Sequence, residues 1–256
     1  MKKLFTQNLI GIAICVCVGV FPECSAIAQN RSDTGELAVE STLIQLLGAQ
    51  QAKLYDEIVP GDETITWQVY VPDNKTGQLP GLFVYVSPHR SGQIDPRWKD
   101  VMDQQNLIYI AADRSGNRKP VNRRMVLATQ AVRVAAQHWV FDNRKIMVSG
   151  FSGGGRVASM LAVQYPDVFT GALYICGVDF WKKSRVPQIE KLVQNRFVFL
   201  TGKKDFNREE TRQVYRKYLK AGAEHSKLME VSNLSHELPD ARSLGEALDF
   251  LSGKAE

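Results

Sequence analysis

Short apolar runs of strand length recur along this chain and alternate with segments of helical spacing, and that alternation restricts the fold more than any single motif. Residues 82–86 and 107–112 are apolar without interruption, and strand-like runs follow at 146–149, 171–176, 197–200 and 228–231. A strand with no polar face is one covered on both sides. Residues 65–71 instead alternate, as a strand with one solvated face does. Between the runs the apolar spacing turns helical at 125–139, 156–164, 208–219 and 241–251. Strand and helix in turn predict an α/β protein with a mostly parallel sheet and helices on both faces. In such sheets ligands bind outside the carboxyl ends of the strands. Each loop that follows a strand is therefore a candidate wall of a site.

The first 28 residues stand apart. Lys2 and Lys3 open the chain, residues 9–21 are apolar, Pro22 and Glu23 break the run, and Ala26 and Ala28 supply the small-residue spacing of a signal-peptidase site. This predicts a signal peptide over 1–28, export to the periplasm or beyond, and no stable membrane span after cleavage. Leu37, Leu43, Ile44, Leu46 and Leu47 have partly helical spacing, which predicts an N-terminal helical extension over 29–52. The remaining stretch, 53–256, is long enough for one domain with a full core and leaves little room for a second. Of the 4 cysteines, Cys15, Cys17 and Cys24 lie in the leader, so Cys176 has no partner for an internal disulfide. It sits in an apolar strand and reads as a buried small hydrophobe. No grouping of Cys, His and carboxylates has metal-ligand spacing, so neither metal nor cofactor is expected. A net charge of +5 with no zinc-finger or RNP-type motif gives no indication of a nucleic-acid partner. Nothing in the sequence sets the oligomeric state.

The stretch from Lys145 to Met160 carries the chemistry. An apolar, β-branched run enters Gly150-Phe151-Ser152-Gly153-Gly154, and a small-residue helical pattern leaves it. Strand, sharp turn and helix are the context in which G-x-S-x-G lifts a serine hydroxyl above the end of a sheet. A Cβ at Gly150 or Gly154 would crowd the crossing of strand and helix. The helix that follows aims its amino-terminal N–H groups at the place where an anionic intermediate would form.

With this turn on a strand–helix unit and the alternation around it, residues 53 to the end resemble the α/β-hydrolase fold family. The resemblance implies an order of serine, acid, histidine, with the acid after the family's seventh strand and the histidine after its eighth. Asp205 follows the run 197–200, and His236 follows 228–231, so Ser152, Asp205 and His236 occupy those places. The serine needs an imidazole to take its proton, and the imidazole needs a carboxylate to fix its tautomer. Asp179, on the loop after 171–176, is a rival for the acid. An oxyanion hole is implied from the Gly153 N–H together with one from the loop 87–92, where Pro88 has no N–H to give and His89 or Arg90 is the candidate donor. That loop departs from the His-Gly pattern of many family esterases.

The segment from Asp142 to Gly171 is similar to the corresponding part of exported polyhydroxybutyrate-depolymerase-like and feruloyl-esterase-like hydrolases. The resemblance implies a serine carboxylic ester hydrolase acting on a small-molecule or polymer-linked ester. A non-catalytic binding protein on the same fold, or a peptidase or acyltransferase with the same three groups, stays open. The short gaps between strands argue against a large lid. Arg114, Phe180, Trp181 and Trp98 are candidate substrate contacts. Three basic groups, one at Arg114, Arg118, Lys119, Arg123 and Arg124, one at Lys182, Lys183 and Arg185, and one at Lys203, Lys204 and Arg208, follow successive strands. They read either as a solvated basic surface or as an edge that favours acidic substrates.

Overall fold

The structure, a computed structural model, describes residues 34–73, 75, 77–180 and 188–254. Signal-peptide residues 1–28, Trp181 and the basic group at Lys182, Lys183 and Arg185 lie outside them.

The fully apolar runs become interior strands. β3 (Gly81–Val86), β4 (Leu107–Ala112), β5 (Ile146–Phe151) and β6 (Gly171–Ile175) are buried at every residue. β7 (Arg196–Gly202) is buried beyond its first residue. β8 (Ser226–Val231), half-exposed, closes one edge. At the other edge β2 (Ile65–Val71) pairs antiparallel with β4 and with β1 (Gly35–Ser41). The eight strands run in the order β1-β2-β4-β3-β5-β6-β7-β8, and all pairs from β4 to β8 are parallel. The sheet is therefore mostly parallel, as its apolar runs predict.

The helical extension expected over 29–52 is not what the described part of that segment forms. Gly35–Ser41 is a strand, buried on alternate residues toward its end. Only then does the chain turn into α1 (Leu43–Leu47) and the single turn α2 (Ala49–Ala52). Thr42 starts α1 with a capping box: its Oγ1 accepts from Gln45 N–H at 3.2 Å, and Gln45 Oε1 accepts from Thr42 N–H at 2.9 Å.

Helices cover both faces. On one lie α1, α4 (Val121–His138), α5 (Gly153–Gln164) and α7 (Arg208–Lys220), whose apolar stripes join Leu82, Val84, Ile108, Val148, Ala172, Phe197 and Phe199 in one core. On the other, α3 (Lys99–Gln105) and α8 (Ala241–Leu251) bury Met102, Leu244 and Leu248 against Phe83, Met147, Leu173 and Val198. The short α6 (Ile189–Leu192) precedes β7. Chain order reverses at β3, which has β4 on one side and β5 on the other. Such a reversal opens a crevice at the carboxyl ends of the strands beside it. Ser152 and the loop 87–92 lie at those ends.

Candidate functional site

The turn at the end of β5 is tight. Ser152 has φ 56° and ψ −120°, a conformation that costs a non-glycine residue about 1–3 kcal/mol and persists only where its surroundings fix it. Its N–H donates to Ile175 O at 2.8 Å, tying the turn to β6. A methyl group on Gly150 would lie 2.3 Å from the carbonyl carbon of Gly154, and one on Gly154 would lie 1.9 Å from Val86 O. Both positions must be glycine for α5 to start so close to β3 and β5. The first helical bond of α5 is Arg156 N–H to Ser152 O, so the Gly153, Gly154 and Gly155 amides have no partner within the helix.

Two loops from more distant strands meet this turn. His236 Nε2 is 2.9 Å from Ser152 Oγ, and His236 Nδ1 is 2.8 Å from Asp205 Oδ1. A carboxylate only accepts, so Nδ1 carries the proton, and Nε2 of the neutral ring accepts from the serine hydroxyl. Asp205 is buried, and burial alone would push its carboxyl up. Hydrogen bonds from Asn207 N–H (3.0 Å), His236, Thr201 Oγ1 (2.8 Å) and the Cys176 thiol outweigh that and hold it below the usual carboxylate range. The imidazole stands between two rings: Phe206 is stacked on it with centroids 4.1 Å apart, and Phe151 lies at 5.0 Å. Phe206 is 78% exposed. One face of the imidazole is thus covered by an aromatic ring that is itself open to solvent. Cys176 is fully buried, and burial pushes its thiol far up. Its sulfur lies within 4.8 Å of ligand atoms of Asp205 and His236, yet a protonated thiol beside two groups already spent on hydrogen bonds is a packing residue.

No family model matches the sequence, and no curated protein matches it significantly. The structure has many solved counterparts. A ferulic acid esterase superimposes with TM-score 0.61 at 14% identity, covering 86% of this chain and 99% of that one. Est1E from Butyrivibrio proteoclasticus gives TM-score 0.58 at 13% identity, over 75% of this chain and 94% of that one. The Ser161Ala mutant of LAE6, described as an alpha/beta hydrolase enzyme from the metagenome of Lake Arreo, gives 0.59 at 13% identity, over 90% and 86%. The chain has the α/β-hydrolase fold.

In this α/β-hydrolase fold Asp179 is engaged by groups other than His236. Its carboxylate pairs with Arg156 at 3.0 Å, and its N–H donates to Ser159 Oγ at 3.0 Å. The carboxylate on the imidazole is that of Asp205. Of the two expected oxyanion donors on the loop 87–92, the His89 N–H is already bonded to Ser87 Oγ at 3.1 Å. The Arg90 N–H makes no hydrogen bond among the described residues.

The basic groups divide. Arg123 is buried and forked on Glu63 at 2.6 and 2.8 Å. Arg124, 3% exposed, donates to Ser115 O (2.7 Å), Gly153 O (3.2 Å) and Ser87 O (3.2 Å). It pins the loops after β3 and β4 to the first turn of α5, so it supports the site from beneath instead of facing substrate. Arg208 is bonded to Glu230 at 2.7 Å, whereas Lys203 and Lys204 are exposed. Arg114, Arg118 and Lys119 remain on the rim. Trp98 is a core anchor: it is 1% exposed, donates Nε1–H to Pro239 O at 3.0 Å and meets Tyr85 edge-on. Phe180 packs edge-on against Tyr218, with the Lys217 ammonium over its ring at 5.3 Å. The sequence expectations do not include Phe206, the supporting role of Arg124, or Asn117, whose N–H donates to Pro88 O at 2.9 Å and ties the loop after β4 to the loop after β3. Only Phe206, directly after Asp205 on a site loop, had a signal that could have found it.

Proposed function

We propose that the protein is an exported serine hydrolase that cleaves carboxylic esters through an acyl-enzyme formed on Ser152. The observation that carries this reading is the unbroken relay from Ser152 Oγ through His236 to Asp205, at 2.9 and 2.8 Å, built on a strained turn at the start of a helix. His236 Nε2 takes the hydroxyl proton as Oγ attacks the ester carbonyl carbon. The tetrahedral oxyanion sits against the Gly153 N–H and an N–H from the loop 87–92. Collapse breaks the carbon–oxygen bond to the alcohol, which leaves with the proton from His236. Water then repeats the sequence and frees the acid. Asp205, kept ionised by its hydrogen bonds, stabilises the imidazolium formed in each half-reaction.

That a structural neighbour is named a ferulic acid esterase supports ester hydrolysis over other acyl transfers. The basic opening, apolar run and small-residue site within 1–28 support export. Incubation with a fluorophosphonate probe, with parallel assay of short-chain aryl esters, tests the reading. Labelling and turnover are expected in the natural protein and absent in Ser152→Ala. Well-folded protein that neither labels nor turns over would instead be a binding protein on this fold. Labelling without ester turnover would point to a peptidase or acyltransferase.

A further inference from the structure

Beside the nucleophile turn, the loops after β3 and β4 enclose a cavity of about 650 Å³. Its wall carries Arg90, Arg114, Arg118 and Lys119, with His89 and Asn117 between them and no carboxylate. Two acids lie close by, and both are occupied. Glu63 is forked on Arg123, and Asp113 accepts from Gln68 Nε2 and from Gly92 N–H, each at 2.7 Å. Among the described residues none of the four cations on the wall forms an ion pair. Their field reaches outward: Glu63 is held below the usual carboxylate range first by its bonds to Arg123, with Lys119 and Arg114 adding to the effect through space.

These cations are placed by backbone. Arg114 sits at φ 53°, a strained conformation for a side-chain-bearing residue, and its N–H donates to Arg90 O at 2.7 Å. Asn117 N–H donates to Pro88 O at 2.9 Å, locking the two loops together. The amino end of α4 begins two residues beyond Lys119 and adds its own positive pole. The cavity adjoins the turn that holds Ser152 through Asn117, which lines it and lies so close to the turn that a methyl group on Gly153 would sit 2.3 Å from Asn117 Oδ1. Several unneutralised cations in one concavity focus their field and leave guanidinium donors for a planar anion.

Building on the assignment of Ser152 as nucleophile, we propose that this cavity is an anion-binding subsite and that the preferred substrates are esters carrying a free carboxylate. One arm of the test compares kcat/KM for mono(4-nitrophenyl) adipate and 4-nitrophenyl hexanoate, which differ in charge on the acyl side. A second compares 4-acetoxybenzoate with its methyl ester, which differ on the alcohol side. In at least one arm the charged ester is expected to be favoured about tenfold. That preference is expected to fall about tenfold in Arg118→Gln/Lys119→Gln, to persist in Arg118→Lys, and to weaken with salt. Both side chains are exposed, so the fold is not at stake. Ratios near one in both arms, or ratios unmoved by the double substitution, overturn the proposal. Calorimetric titration of adipate into Ser152→Ala protein reads the subsite without turnover, which separates its failure from that of the esterase reading. Binding lost in the double variant supports the subsite, and no binding at all overturns it.

Discussion

Asp205 is held from four sides, and its neighbours leave it one chemical state. Thr201 Oγ1 donates to its Oδ2, and Asn207 N–H and His236 Nδ1–H both donate to its Oδ1. An amide of the same size fits the same space, because the Thr201 hydroxyl can turn to accept where it donated. Asp205→Asn should therefore fold, yet its neutral side chain would no longer stabilise an imidazolium, and an amide N–H turned toward His236 would favour the wrong tautomer. A fall in kcat of about 10³–10⁴-fold is expected, with the melting temperature little changed; esterase assay and thermal denaturation check the two parts. The place of this residue was legible in the sequence through the order of serine, acid and histidine that the family resemblance implies, although Asp179 offered a second carboxylate. Asn117 was not, and Phe206 only through its place directly after Asp205. An exposed phenylalanine and a loop asparagine follow no period, and their roles exist only once the loops converge.

At the scale of elements, α7 is fastened to the edge strand β8 by Glu230, which accepts from Arg208 at 2.7 Å and from Arg212 at 2.8 Å. Those bonds, Arg212 first, bring the Glu230 carboxyl down to about 2 from its ordinary 4.5. A depressed pKa contributes stability that is complete above the ordinary value and is lost as pH falls through the depressed one. Glu230→Gln should thus melt lower than the natural protein at pH 7. For a pair of partly exposed bonds worth about 1 kcal/mol, the gap is about 2–4 °C. It should narrow below pH 4.5 and close near pH 2, as scanning calorimetry over that range would reveal. Helices and interior strands were readable because their periods are long or their apolar runs unbroken. β1 was not: Glu36, Leu37, Ala38 and Glu40 are good helix formers, and only pairing with β2 makes their alternation count as a strand.

For the molecule as a whole, stability rests on a sheet buried from both sides. Tyr174, Phe197, Phe199 and Tyr218 form an aromatic group in its core: Phe199 meets Tyr218 edge-on at 4.9 Å and Tyr174 at 5.2 Å. Phe199→Ala should destabilise the fold by about 3–5 kcal/mol through lost contacts and the void left behind, measured by denaturant unfolding. The same architecture gathers Ser152, Asp205, His236 and the basic cavity beyond the carboxyl ends of the parallel strands. Arg144 and Lys145, at the opposite ends, are exposed and take no part in the proposed chemistry. The groups of the proposed chemistry thus lie at one end of the strands and these two cations at the other. Tethered to a bead or a polymer through those cations, the molecule would still present an open mouth to whatever flows past.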